Sequence, residues 1–415
     1  MINISDIVGV QFECTCGKTH TVHTLAVRVG KGALSSIAVD MQSIASVGSQ
    51  IALLYSDHSL EQARKTEKEL VHAGYRVFMF KNESAINDEN YFSVIVGVGG
   101  GKLCDRAKLL AKKSDKKLFL VSTSVSGVCG TNAVDTTQPI FVQKQCALPS
   151  HVIIDYNLID CGKNGLAAGF GEGVSRLFSL LDNRIANCIN GERFCDTIYE
   201  QIKEHVTSLV KRLENKDRRD NSVKQIIVEH NTLMSLLDQQ NLGEVYGGGE
   251  VSAALFDERL SIAEQRPTKR FGESLFLQAL ALTEFYKEGL FFNNKAFLPP
   301  PNNNYRAELI SQYLNVDEAY CHKYQCKLYK QKDLELMKYR LGVYSAEIKK
   351  ELIFLSNLLK QAKKIFYKLY DDDGYAISGI REEGSLSVAL APDISNNFTC
   401  LEYFKQIGVL DNFLY

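Results

Sequence analysis

Three clusters in this chain of 415 residues have the types and spacing to do chemistry. The first is Tyr91 to Asp105, YFSVIVGVGGGKLCD. An apolar run from Phe92 to Val98 empties into Gly99, Gly100 and Gly101, and Lys102 to Lys113 then has the composition of a helix. Bare glycines at a helix N-terminus let backbone amides reach phosphate oxygens while the helix dipole favours their negative charge. The spacing GVGGG is not the GxGxxG of a Rossmann fingerprint. A tight strand-to-helix turn is the alternative. The second cluster is Ser122 to Asn132, STSVSGVCGTN, whose small and hydroxyl residues suit a binding loop. The third is Cys14-Thr-Cys16-Gly-Lys-Thr-His20-Thr-Val-His23, which offers two thiols and two imidazoles to a zinc ion. C-x-C gives less room than C-x2-C, and a plain hairpin turning at Gly17 competes with the metal reading.

The elements that must position these residues alternate between strand and helix. Leu25–Val29, Gln50–Tyr55, Arg76–Phe80, Tyr91–Val98, Lys117–Val121 and His151–Asp155 read as strands, with helices from Gly30 through Ala45 and from Ser59 to Ala73. A hairpin is expected over Thr136–Pro149. Strands separated by helices make a parallel sheet with right-handed crossovers, and such sheets bind ligands at the carboxyl ends of their strands. Asp57, Gly99 to Gly101 and Ser122 to Ser126 all fall there. Asp57 suits ribose hydroxyls or, equally, a helix N-cap.

After Gly162 the periodicity becomes helical. Val174, Leu177, Leu180 and Leu181 share one face; Ile198, Ile202, Val206, Leu209, Val210 and Leu213 share another. The expected organisation is an N-terminal hairpin over 1–24, an α/β dinucleotide-binding domain over 25–162 and an all-α domain over 163–415. Lys211–Asn221 reads as an exposed connection, Phe297–Tyr305 as a loop, and Asp333–Tyr370 as one long amphipathic helix or a pair, broken at Asp371–Gly374.

Composition bounds the function. Hydrophobic residues are 45% and charged residues 23%, near the globular average. A net charge of −1 argues against a nucleic-acid or anionic-membrane partner. No apolar run has the length of a membrane span and the N-terminus lacks a signal-peptide layout, so a cytoplasmic protein is expected. Eleven cysteines, an odd number, read as reduced thiols.

The combination of GVGGGKLCDRAK (97–108), the loop at Ser122–Ser124, LPSHVIID (148–155) and AAGFGEGVSR (167–176) resembles the superfamily of dehydroquinate synthase and iron-containing alcohol dehydrogenases, most nearly the glycerol-1-phosphate dehydrogenases. Weaker matches are GGGEVSAAL (247–255), FGESLFLQALAL (271–282) and the tail 392–410, so the resemblance covers most of the chain. It implies that Gly99, Gly100 and Gly101, with Lys102 and Asp105, hold the pyrophosphate side of NAD or NADP. Asp57 then takes the adenosine ribose, and Ser122, Thr123 and Ser126 flank the nicotinamide half. Family members also hold Zn²⁺ or Fe²⁺ with one carboxylate and two histidines, as a Lewis acid on the substrate hydroxyl. Glu172 matches the carboxylate. The histidine positions read Gly249-Glu250-Val251 and Phe271-Gly272-Glu273, so both histidines are missing, and a divalent metal there is doubtful. An all-oxygen site from Glu172, Glu250 and Glu273 competes with structural roles for the last two. SGVCG (126–130) lacks the family's Asp, and Ile394–Thr399 lacks its arginines.

The expected function is a divergent NAD(P)-dependent oxidoreductase acting on a small polyol, ketone or its phosphate. Glu172, Lys108, Arg176 and Lys269 are its candidates for proton transfer. Two alternatives are a dehydroquinate synthase-like enzyme using NAD transiently and an inactive dinucleotide-binding pseudoenzyme. The resemblance also implies a homodimer or larger homo-oligomer.

Overall fold

The computed structural model describes residues 3–81, 86, 91–192, 194–240, 247–290, 298–370, 386–395 and 397–414. Strands are β1 Gln11–Glu13, β2 Thr19–Thr21, β3 Ala26–Gly30, β4 Gln50–Tyr55, β5 Arg76–Phe80, β6 Val94–Gly99, β7 Lys117–Ser122, β8 Asn132–Asp135, β9 Val142–Gln145 and β10 His151–Asp155. The main helices are α1 Ile4–Ile7, α2 Ile37–Gln42, α3 Leu60–His72, α4 Gly101–Ser114, α5 Gly165–Asn190, α6 Asp196–Leu213, α7 Asn221–Gln240, α8 Gly249–Ala263, α9 Phe271–Gly289, α10 Asn303–Leu314, α11 Glu318–His322, α12 Gln331–Val343 and α13 Ser345–Leu369. The fold is an α/β dinucleotide-binding-type region followed by a helical one.

Six strands form one sheet in the order β3-β10-β7-β6-β4-β5, and every pair is parallel. β6 is buried along its whole length, which is why it reads as a continuous apolar run rather than an alternating one. Val94, Val96 and Val98 are fully buried with Ile51, Leu53, Phe119, Val121 and Ile153. Each such side chain contributes roughly 1.5–3 kcal/mol by leaving water. From β4 the chain moves outward to β5, then returns across the sheet to β6, β7 and β10. The strand order therefore reverses between β4 and β6, where open α/β sheets bind ligands.

One detail differs from the sequence expectation, and one open alternative is resolved. The helix expected from Gly30 through Ala45 is a 3-10 turn over Ala33–Ser36 followed by the short α2. Gly32, at φ +75°, holds the left-handed conformation that precedes the turn. The segment 333–370 is a helix pair broken between α12 and α13 at Tyr344. Asp371–Gly374 and Phe297 lie outside the described residues.

The chain divides into two compact units. The first holds residues 1–135, 144–169 and 219–243; the second holds 136–143, 170–218 and 244–415. Residues 219–243, with α7, thus belong to the sheet-containing unit although they follow the change of periodicity near 162. No helix among the described residues is long and apolar enough to cross a membrane.

Candidate functional site

In the first unit, three neighbouring strand ends carry the predicted binding residues. Register pairs Tyr55 with Val98 and Gly99 with Ser122. Adjacent strands lie about 4.8 Å apart, so Asp57, the glycines and the Ser122–Ser126 loop form one row. Ser59 Oγ donates to Val98 O at 2.7 Å, and Thr123 N to Gly99 O at 3.0 Å, which fixes the three ends to one another.

The glycines divide into two kinds. A Cβ on Gly97 would stand 2.7 Å from Ala107 Cβ, and one on Gly99 would stand 2.5 Å from Leu103 Cδ2. These two let α4 pack against β6. A Cβ on Gly100 would meet only Ser124 at 3.5 Å, and one on Gly101 only Ser126 at 3.8 Å, both ordinary contacts. Gly100 and Gly101 therefore leave a shallow cradle that a larger side chain would fill. α4 starts there with no side-chain cap, and Cys104 N donates to Gly100 O at 3.0 Å. The first-turn amides have no intrahelical acceptor and suit an anion. This is chemistry that fits a dinucleotide pyrophosphate.

Asp57 is exposed just beyond β4, and its carboxylate pairs with Lys81 Nζ at 2.9 Å. The helix cap that competes for its role is supplied by Ser56, whose side chain and that of Ser59 make a capping box. Asp57 is left facing solvent with one cation beside it.

Asp105 and Lys108 face the next strand. Asp105 accepts from Val134 N at 3.0 Å, and Lys108 Nζ lies 3.4 Å from Asp105 and donates to Asn132 O at 2.8 Å. Burial alone would lower the Lys108 pKa, but Cys146 and Asp105 outweigh it and hold the ammonium above its ordinary range. Lys108 is thus a charged tie between α4 and β8, and a poor proton acceptor at neutral pH. Sequence reasoning did not find the supports of the Ser/Thr loop, which come from α7. Asn231 Nδ2 donates to Val125 O and Gly169 O, Asp238 accepts from Thr131 N and Oγ1, and Gln239 Nε2 donates to Cys129 O. Asn231, Ser235, Asp238 and Gln239 recur at helical spacing in a buried helix, the signal that could have marked them.

In the second unit, α5 carries Glu172, Arg176, Ser179 and Asp182, all buried. Arg176 and Glu172 form an ion pair one helical turn apart, at 3.2 Å. Ser179 Oγ donates to Glu250 Oε1. Asp182 accepts from Gly249 N at 2.6 Å and Cys400 N at 2.9 Å. Glu250, in the first turn of α8, is fully buried, and its Oε2 has no hydrogen-bond partner among the described residues. Burial pushes its pKa up to about 8; Asp182 adds to the shift, while Ser179 and Arg176 oppose it. Gly248 and Gly249 permit this approach, since a Cβ on Gly248 would stand 2.6 Å from Ser179 Cα. Glu250 is therefore a largely neutral acid near pH 7, able to give a proton. Its special state is tertiary in origin, and nothing in the local sequence signals it.

This set does not fit the iron or zinc of the resembling family. Glu172 is held by a guanidinium, Val251 is a buried apolar residue, and Glu273 caps α9 through Arg270 N at 3.2 Å. Glu172, Glu250 and Glu273 do not converge as a ligand group among the described residues. Lys269 pairs with Asp257 at 3.7 Å. A separate cavity of about 300 Å³ in this unit, lined by Arg184, Cys188, Arg340 and Glu347 among others, contains none of the predicted site residues.

A parallel sheet with a glycine cradle at its switch point, followed by helices, defines a dinucleotide-binding α/β fold of the dehydroquinate synthase and iron-containing alcohol dehydrogenase kind. Residues 28–161 match the family model described as iron-containing alcohol dehydrogenase. A glycerol-1-phosphate dehydrogenase [NAD(P)+] of Methanococcus maripaludis is 31% identical over 118 residues, 28% of this chain and 34% of the relative. The corresponding protein of Thermococcus sibiricus is 29% identical over 163 residues, 36% of this chain and 47% of the relative. The matched stretch thus spans between about a third and a half of these two relatives. Among solved structures, an archaeal Red Sea brine pool alcohol dehydrogenase superposes with a TM-score of 0.57 at 12% identity, over 94% of this chain and 97% of its own. NADH-dependent butanol dehydrogenase A of Thermotoga maritima gives 0.54 at 15%, over 94% and 96%. These likenesses establish the fold.

Proposed function

We propose that this chain binds NAD or NADP at the β4–β6 switch point and acts as an oxidoreductase on a small alcohol or ketone without the family's catalytic metal. The observation that carries the reading is the Gly100–Gly101 cradle at the uncapped start of α4, with Asp57 one strand away. Relatives named as NAD(P)-dependent glycerol-1-phosphate dehydrogenases support a polyol phosphate or its ketone as the substrate class.

The nicotinamide supplies the hydride acceptor, and the protein's task is to hold it and manage one proton. Asp57 takes ribose hydroxyls, and its pairing with Lys81 leaves the choice between NAD and NADP to measurement. Arg176 holds positive charge beside Glu172, and Glu250 holds a proton near neutral pH. In the second unit, the segments that the resemblance assigns to the metal thus carry charge and a general acid instead.

The reading is tested by titrating the purified chain with NAD(H) and NADP(H), then assaying turnover over a panel of polyols, ketones and their phosphates. Saturable nucleotide binding with turnover that falls in Glu250→Gln supports it. Binding without turnover on any substrate moves the protein to the pseudoenzyme reading. A cyclised sugar-phosphate product with no net NADH moves it to the dehydroquinate synthase-like one. Absence of nucleotide binding overturns all three.

A further inference from the structure

The N-terminal hairpin carries a group that the dinucleotide reading does not use. β1 and β2 pair over only three positions, Gln11 with Thr21, Phe12 with His20 and Glu13 with Thr19. A two-stranded ribbon this short is marginal in water. Its turn is tight: Cys14 N donates to Lys18 O at 3.1 Å, Gly17 N donates to Cys14 O at 2.9 Å, and Gly17 takes φ +83°. The turn brings Cys14 and Cys16 back over His20, and one ligand atom from each of the three lies within 4.8 Å of the others. Cys16 Sγ is 3.3 Å from His20 Nε2. In a tetrahedral zinc site the edge between sulfur and nitrogen is about 3.6 Å, from bond lengths of about 2.3 and 2.0 Å.

His20 is oriented for this role. It is 1% exposed, and its Nδ1 lies 2.5 Å from the Gln240 carbonyl at the end of α7. A carbonyl only accepts, so Nδ1 carries the proton and Nε2 presents its lone pair to Cys16. A histidine whose far nitrogen donates to a carbonyl while its near nitrogen faces thiols is the arrangement that supports a bound zinc. None of the cysteines forms a disulfide. The fourth ligand candidate of the sequence, His23, does not join the group; it lies beyond the end of β2, and its backbone amide donates to Gln239 Oε1 at 2.8 Å.

We propose that Cys14, Cys16 and His20 bind a zinc ion that clips the hairpin to the C-terminal end of α7, with the fourth coordination position filled from outside the hairpin. Binding converts both thiols to thiolates and releases two protons to solvent, with no change of oxidation state.

The test uses the full chain, stripped with a chelator under reducing conditions and titrated with Zn²⁺ and with Co²⁺. Expected results are stoichiometric zinc by elemental analysis, a thiolate-to-cobalt absorption band with tetrahedral d–d intensity, and proton release on binding. Zinc is lost in Cys14→Ser/Cys16→Ser and retained in Glu172→Gln, while His20→Cys retains the ion with a stronger thiolate band. The cobalt spectrum of the unmodified chain decides the matter even where the double variant folds poorly. A chain that takes up no zinc, a cobalt complex without a thiolate band, or full zinc occupancy in Cys14→Ser/Cys16→Ser overturns the proposal.

Discussion

The rim of the sheet and the buried stripe on α5 treat their polar groups in opposite ways. At the rim, Gly100 and Gly101 leave room at a start of α4 that has no side-chain cap, and Asp57 stands exposed with an exposed lysine beside it. On α5 and α8 charge is internally matched: Arg176 with Glu172, Asp182 with the amides of Gly249 and Cys400, and Ser179 with Glu250. The same second unit buries Arg306, Asp393 and Lys405 fully, with Asp393 bonded to both cations. A ligand site keeps some backbone and charge unsatisfied by the protein, whereas a packed helical core must satisfy them or neutralise them. Glu250 is the exception in the helical unit. Its second oxygen has no partner among the described residues, and its cost is met by holding a proton.

The comparison breaks most visibly at the glycines. The Cβ of Gly100→Val fits an extended backbone at φ −82° and ψ −175° and meets Ser124 at ordinary distance, so the variant should fold, with a Tm lowered by the loss of a favourable N-cap residue. Its side chain fills the cradle, and nucleotide affinity is expected to fall by about a hundredfold or more, as for loss of several charge-assisted hydrogen bonds. Gly97→Ala does the reverse: crowding against Ala107 costs about 1–3 kcal/mol of stability by urea unfolding, leaving the cradle's own amides in place.

Glu250 gives the next effect. Its pKa is raised from 4.5 to about 8, so the folded state binds its proton more tightly than the unfolded chain. The stability this contributes is fully present below about pH 4.5 and is lost as pH rises through about 8, with a slope of up to about 1.4 kcal/mol per pH unit. Glu250→Gln, which copies the neutral acid, should flatten that part of the stability profile. An unchanged profile would mean that Glu250 is ionised in the folded protein.

Asp57 gives the smallest effect on the fold. Its ion pair with Lys81 is exposed on both sides, so Asp57→Ala should leave the stability nearly unchanged. Loss of a charged acceptor for ribose hydroxyls should still weaken dinucleotide binding roughly tenfold or more, measured by titration. Equal affinity in the variant would remove Asp57 from the site.

Much of the first unit was legible in the sequence, because β4, β6, β7 and β10 are apolar runs and the glycines mark one strand end. The register that aligns Asp57, Gly99 and Ser122 follows from parallel pairing and needs no long-range guess. The role of α7 was not legible: Asn231 and Asp238 reach the loop across more than a hundred residues of chain, and periodicity sees only one helix at a time. The part played by Glu250 was also hidden, since its neutral state depends on what Gly248 and Gly249 bring against it. The hairpin was half legible. Cys14, Cys16 and His20 were visible as ligand types, but only the turn at Gly17 separates them from His23.

The central proposal is that the sheet rim holds a dinucleotide at the Gly100–Gly101 cradle, without the metal-binding histidines that the resemblance leads one to expect in 249–251 and 271–273. Parallel NAD(H) and NADP(H) titrations of the unmodified chain and of Gly100→Val test it most directly. Saturable binding to the unmodified chain that collapses in the variant, with both proteins folded, is the predicted result. Binding that is absent from both, or equal in both, contradicts the account.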